Sequence, residues 1–322
     1  MRPHEVSTTR LVGYGLLLLV ALAVPFIGLY PVFVMKLLCF AIFACAFNLL
    51  LGYTGLLSFG HAAFFGSAAY ATGWIVQSMS VTPEVGIVFG MVIAALTGLV
   101  VGLIAIRRQG IYFAMITLAL AQMVYFVCLQ AKFTHGEDGL QGVPRGRLLG
   151  LVSLDSDTAM YYFVLVVFIA VFLFIRRIVH SPFGQVLKAI RENEPRAISL
   201  GYAVDRYKLL AFILSTTIAG LAGALKTLTL GFATLSDVHW SMSGEVILMT
   251  LLGGLGTFLG PVLGAGIVIA LQDLLADRVG SWVTVIIGAI FVVCVLLFRR
   301  GLVGEYEAWR IKRRAKARLQ AS

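Results

Sequence analysis

The sequence predicts an all-α integral membrane protein with about ten transmembrane helices, some of them short, glycine-rich and broken or re-entrant. Three observations carry this. Hydrophobic residues fill 60% of the 322 positions and charged residues only 12%, and a soluble fold cannot hide that much apolar surface. The apolar residues run continuously and do not alternate, which argues against a transmembrane β-barrel. Ten helices of roughly 20 residues would use roughly 200 positions, close to the hydrophobic share.

Ten apolar segments follow one another along the chain: Leu11–Leu29, Val32–Leu51, His61–Gln77, Val85–Ile106, Ile111–Ala131, Ala159–Ile175, Leu209–Leu230, Gly244–Thr257, Phe258–Leu275 and Trp282–Phe298. The eighth and ninth are short and glycine-rich, so they form either two spans or one re-entrant pair. The first resembles a signal peptide, with Arg2 and Arg10 ahead of Leu16–Val20 and a possible cleavage site at Ala21-Leu22-Ala23. Because its apolar run continues through Pro25 to Leu29, a retained helix is expected. The longest polar stretches, Lys132–Thr158 and Arg176–Lys208, are too short for a soluble catalytic domain. The whole of 1–322 therefore reads as one transmembrane domain.

Charge orients this domain. Lys and Arg number 25 and Asp and Glu 15, a formal net charge of +10. With both termini cytoplasmic, Arg2, Arg10, Arg107, Arg108, the Arg176–Lys208 loop and the tail after Phe298 all face inward, so that the inner regions carry +13 and the remainder −3. That is the positive-inside pattern, and it accounts for the basic charge without nucleic acid. The tail 301–322, with Arg310, Lys312, Arg313, Arg314, Lys316 and Arg318, reads as a solvated basic segment near anionic lipid. Lys36 and Lys226 lie near the outer ends of their helices and are expected to snorkel to the interface. Cys39, Cys45, Cys128 and Cys294 sit in apolar runs without metal spacing and read as packing residues.

No chemistry-bearing motif is present. Gly220–Thr227, GLAGALKT, approaches a P-loop, but Leu225 stands where glycine is needed and no strand precedes it. There is no metal-spaced cluster and no nucleophile elbow, and no cofactor is implied. Two other features stand out. One is Leu51–Gly73, LGYTGLLSFGHAAFFGSAAYATG, where small residues let helices approach and unwound glycines expose backbone to a polar solute. Its candidate solute-pathway residues are Tyr53, Thr54, Ser58, Gly60 and His61, joined by Asn48 and Gln122 from neighbouring spans. His61 could instead simply hydrogen-bond a neighbouring helix, and Asn48, Gln122 and Thr117 could each be interhelical glue. A weak echo, LGGLGTFLGPVLGAG at Leu252–Gly266, gives the chain a faint two-half similarity. The other feature is the loop 181–208, SPFGQVLKAIRENEPRAISLGYAVDRYK. Pro182 can begin a helix, Asn193-Glu194-Pro195 breaks it, and a second short helix ends at Gly201. Its mixed charges suit a protein groove better than lipid.

At these features the chain resembles the permease subunits of branched-chain amino acid ABC importers, the LivM type of the LivM/LivH family. The resemblance rests on Leu51–Gly73, on Gln109–Ala119, on THGEDGLQGVP at Thr134–Pro144, on Lys188–Leu225 and on Leu251–Ala265. It implies a heterodimer with a second, LivH-like permease, two cytoplasmic ATP-binding subunits below and a periplasmic solute-binding protein above, in a bacterial inner membrane. It also implies that the 181–208 loop is a coupling element, with Lys188, Arg191, Glu192, Glu194, Arg196 and Gly201 as the residues facing the ATPase. Related permeases move urea or short amides, so that substrate class stays open. An ion-coupled carrier would need an intramembrane carboxylate, and only Glu245 and Asp273 lie near the spans. A membrane enzyme or scaffold would need a cluster that is not found.

Overall fold

The computed structural model describes residues 30–150, 152–297 and 301–306. The first apolar segment, the basic tail beyond 306 and the Cys294 side chain lie outside the described residues. Nine predicted apolar segments are helical, and five of the helices are long and apolar enough to cross a membrane unaided. The chain is thus a multi-pass membrane protein.

Among the described residues the main α-helices run in order: α1 Pro31–Thr54, α2 His61–Met79, α3 Pro83–Ala105, α4 Ile111–Gln130, α5 Asp157–His180, α6 Pro182–Glu192, α7 Glu194–Ser199, α8 Val204–Leu230, α9 Trp240–Gly253, α10 Gly260–Val279 and α11 Val283–Leu297. Local chemistry sets most of their ends. Proline opens α1, α3, α6 and α10 in the first turn, where its missing N–H costs nothing. Ser156, Ser181 and Asn193 cap α5, α6 and α7 by accepting from Ala159 N, Gly184 N and Arg196 N. The Ser156 cap starts α5 at Asp157, ahead of the predicted Ala159–Ile175, and the helix runs on to His180.

The bundle is built round α1 and α8. In their apolar cores 78% and 72% of residues are buried, against 28–33% for α3, α4 and α5, which face outward. Helix α8 packs along α1, α2 and α3, α5 and the α9–α10 hairpin pack on α1, and α4 is held more loosely against α2 and α3. The GLAGALKT stretch is mid-α8, where Gly220 and Gly223 let α3 and the Phe65 backbone of α2 approach closely. Cys39, Cys45 and Cys128 are buried and unbridged, in line with packing.

The connections fall into two groups. At one end Arg191 of α6 reaches Gly52 of α1, Gln109 donates to Glu194 at 2.8 Å, and Gly301 abuts Gly254. At the other, Lys36 pairs with Asp273 at 2.8 Å, Glu84 accepts from Leu149 N, and strand Leu140–Gln141 pairs antiparallel with Phe232–Ala233. A second two-residue ribbon pairs Arg147–Leu148 with Val152–Ser153. These short ribbons tie the longer loops together and leave the fold helical.

The Lys226 expectation is corrected. Lys226 does not snorkel: the chain after α8 folds back, and its Nζ pairs with Asp237 Oδ2 at 2.7 Å, both side chains at most 5% exposed. Asp237 also accepts from Thr234 N at 3.0 Å, and Phe232 covers the ammonium at 4.4 Å.

Candidate functional site

Two non-helical stretches enter the bundle, residues 55–60 between α1 and α2 and residues 254–259 between α9 and α10. Within a membrane protein every interrupted N–H and C=O needs an internal partner. The polar residues singled out by the sequence supply many of these partners. Asn48 accepts from Gly256 N at 3.0 Å and donates to Thr257 O at 2.9 Å, gripping the second stretch from α1. Ser58 accepts from Gly60 N at 3.2 Å, and Thr117 of α4 accepts from Phe59 N at 3.2 Å. Ser243 of α9 takes Ala62 N at 2.9 Å. Thr54 donates to Leu49 O within α1 at 3.3 Å.

Gly60 is required by close approach: a Cβ there would stand 2.8 Å from Thr117 O. His61, next in the chain, is fully buried, with Phe47, Phe64 and Phe212 edge-on around its ring at 4.9, 5.8 and 6.1 Å. Ser215 uses its hydroxyl proton on Ala46 O at 2.6 Å, so His61 Nε2 must donate to Ser215 Oγ at 2.9 Å. Nδ1 then carries the lone pair and has no partner among the described residues. Ser215, the partner of His61, lies eleven residues along α8 from Val204, about 16 Å at 1.5 Å per residue. The 55–60 stretch therefore climbs from the Arg191 end into the middle of the bundle.

Tyr53 stands at the meeting of both features. Its ring lies 6.0 Å from Phe258, and Lys188 Nζ sits 5.8 Å from its centroid. Gln122 is half-buried on α4, apart from this group. A lateral groove of 680 Å³ opens between α2, α3 and α4, lined by apolar residues such as Trp74, Phe89, Leu96 and Met123.

The loop 181–208 forms the two short helices that its sequence predicts. Val186, Leu187 and Ile190 bury one face of α6, and Ala197 buries α7 against it. Gly201 ends the second helix at φ +85°. The named residues divide. Glu194 turns inward to Lys208 at 2.6 Å and Gln109, Lys188 lies over Tyr53, and Arg191 reaches Gly52. Glu192 and Arg196 face outward, beside exposed Ile198, Leu200 and Tyr202.

Sequence reasoning missed Gly256, Thr257, Ser215 and Ser243 as partners of the singled-out residues, and missed Asp237 altogether. The first four lie remote in the chain from their partners, and nothing local marks them. Glu245 and Asp273, the acids an ion-coupled carrier would need, are engaged by Gln272 and Lys36. Among the described residues no group of His, Cys, Asp or Glu is placed to hold a metal.

A helical membrane bundle with two interrupted segments and a structured polar loop at one end suits a transport subunit. The family model described as "Branched-chain amino acid transport system / permease component" matches residues 32–295, and the chain belongs to that family. It is similar to the high-affinity branched-chain amino acid transport system permease protein LivM of Salmonella typhimurium, 26% identical over 89% of this chain and 73% of the relative. A probable LivM of Methanocaldococcus jannaschii is 30% identical over 62% of this chain and 60% of its own. An autoinducer 2 import system permease protein, LsrC of Klebsiella pneumoniae, is 28% identical over 60% of this chain and 55% of its own. No solved structure matches the chain.

Proposed function

We propose that this chain forms part of the membrane path of a bacterial inner-membrane ABC importer for branched-chain amino acids. In this reading it pairs with a second, LivH-like permease, receives solute from a periplasmic binding protein, and is driven by two separate ATP-binding subunits docked at the α6–α7 end. The chain completes ten spans, and the charge pattern puts α6–α7, Arg107, Arg108 and the basic tail in the cytoplasm. The LivM proteins of Salmonella typhimurium and Escherichia coli align over 89% of this chain, against 72% for an autoinducer 2 permease of Salmonella choleraesuis, which favours amino acids as the solute.

The observation that carries the docking role is the exposed apolar group on a polar loop. Ile198 is 58% exposed, Leu200 68% and Tyr202 41%, beside the outward charges of Glu192 and Arg196. Exposed apolar patches rimmed by polar residues mark protein interfaces. The solute path runs beside Leu51–Gly73, where Asn48, Thr54, Ser58, Gly60 and His61 shape a wall and Tyr53 borders it, with Gln122 set apart on α4. A weak path suits this design, because the binding protein supplies selectivity and the permease must release.

Cross-linking tests the docking role. Single cysteines at Glu192, Arg196 and Ile198, placed in the assembled transporter, should capture the ATP-binding subunit. Capture only from cysteines in Arg107–Gly110 or in the C-terminal tail would show that a different loop makes the contact.

A further inference from the structure

The two glycine motifs, some 200 residues apart, meet at one arginine. Nη1 of Arg191, on α6, donates to the carbonyl of Gly52. That carbonyl lies in the last turn of α1, where no helical partner remains and the helix dipole favours a cation. The backbone of the second motif lies against the same spot. A Cβ on Gly52 would stand 2.8 Å from Gly256 N, and one on Gly256 would stand 3.1 Å from both Gly52 O and Arg191 Nη1. Gly256 has φ +72°, which a side chain would strain. Gly55 closes the third side, where a Cβ would lie 3.2 Å from Arg191 Cγ. Asn48 then fastens the Gly256–Thr257 loop to α1. One guanidinium thus sits where α1, the 55–60 stretch and the 254–259 stretch converge, and its planar fork suits several partners at once.

We infer that Arg191 is a positioning residue that locks both glycine segments to α6, so that a displacement of the α6–α7 pair moves the two segments together. Arg191, exposed overall but bonded through its guanidinium to Gly52 O, then acts as the transmitter, whereas Glu192 and Arg196 meet the partner. The inference rests on the reading of α6–α7 as the ATPase-docking element.

The test uses the full transporter, reconstituted with its binding protein and a branched-chain amino acid, and reads three quantities: bound ATP-binding subunit, basal ATP hydrolysis, and hydrolysis stimulated by solute-loaded binding protein. For Arg191→Ala the first two are expected to stay within about twofold, while stimulation and uptake fall by about tenfold or more. Gly256→Ala keeps the charge but displaces the guanidinium, so it is expected to reproduce that uncoupling if Arg191→Ala does not assemble. Arg191→Lys is expected to restore part of the stimulation. Full stimulation in Arg191→Ala, or in Gly256→Ala, would overturn the inference. So would loss of the ATP-binding subunit from a folded Arg191→Ala chain, because Arg191 would then be a docking contact. Retention of that subunit by Arg196→Glu and Glu192→Lys together would remove the docking reading itself, and this inference with it.

Discussion

Asn48, Ser58 and His61 are polar residues in apolar runs, and polarity alone singles them out. Their partners do not show in the sequence, because Asn48 meets Gly256 across 208 residues, Ala62 meets Ser243 across 181 and His61 meets Ser215 across 154. A polar group near a broken helix reads equally as a solute contact or as a replacement for lost backbone bonds, and only the folded geometry separates the two. Lys226 teaches the same lesson. Its position near a helix end suggests snorkelling, yet the Phe232–Asp237 turn brings a carboxylate to it. Removing one member of such a pair leaves a buried charge, whereas removing both can be nearly neutral. Lys226→Met is therefore expected to destabilise the purified protein by about 3–5 kcal/mol, and Lys226→Met with Asp237→Leu by clearly less. Thermal unfolding in detergent checks the order. Equal loss in both variants would mean that the turn, and not the charge, is what matters.

The elements themselves were the more legible part. Apolar length marks nine of the described helices, and Asn193-Glu194-Pro195 marks the break between α6 and α7. The boundaries that moved did so for local reasons: Ser156 starts α5 early, and α8 begins at Val204, five residues before its apolar stretch, because Val204 and Lys208 are buried against the loop. The short outer ribbons were not legible, since two-residue strands carry no periodicity. The α6–α7 corner depends on the Asn193 cap. Asn193→Ala is expected to cost about 0.5–2 kcal/mol locally. Faster amide exchange in α7 than in α8 measures it, and unchanged exchange in α7 would mean that Ala197 packing alone holds the corner.

At the scale of the whole molecule, charge and geometry agree on two ends. Among the described residues, the basic segments at 107–108 and 176–208 lie at the Arg191 end, and the acidic Glu137-Asp138 and Asp155–Asp157 segments lie at the opposite end with the ribbons. A cysteine at Asp155 is expected to react with impermeant reagents from the periplasmic side, and reaction from the cytoplasm only would invert the topology. The glycine echo between Leu51–Gly55 and Leu252–Gly256 was visible in the sequence as a faint repeat. What it does was not visible, because the arginine that joins the two motifs comes from a third element. This chain is expected to carry branched-chain amino acids only as part of an ATP-driven assembly. Uptake of radiolabelled leucine into proteoliposomes tests it most directly. The full set of two permeases, ATP-binding subunits and binding protein should accumulate leucine with ATP inside the liposome compartment that faces the ATPases, and omission of any component should abolish accumulation. Accumulation by this chain alone, driven by a proton or sodium gradient without ATP, would contradict it.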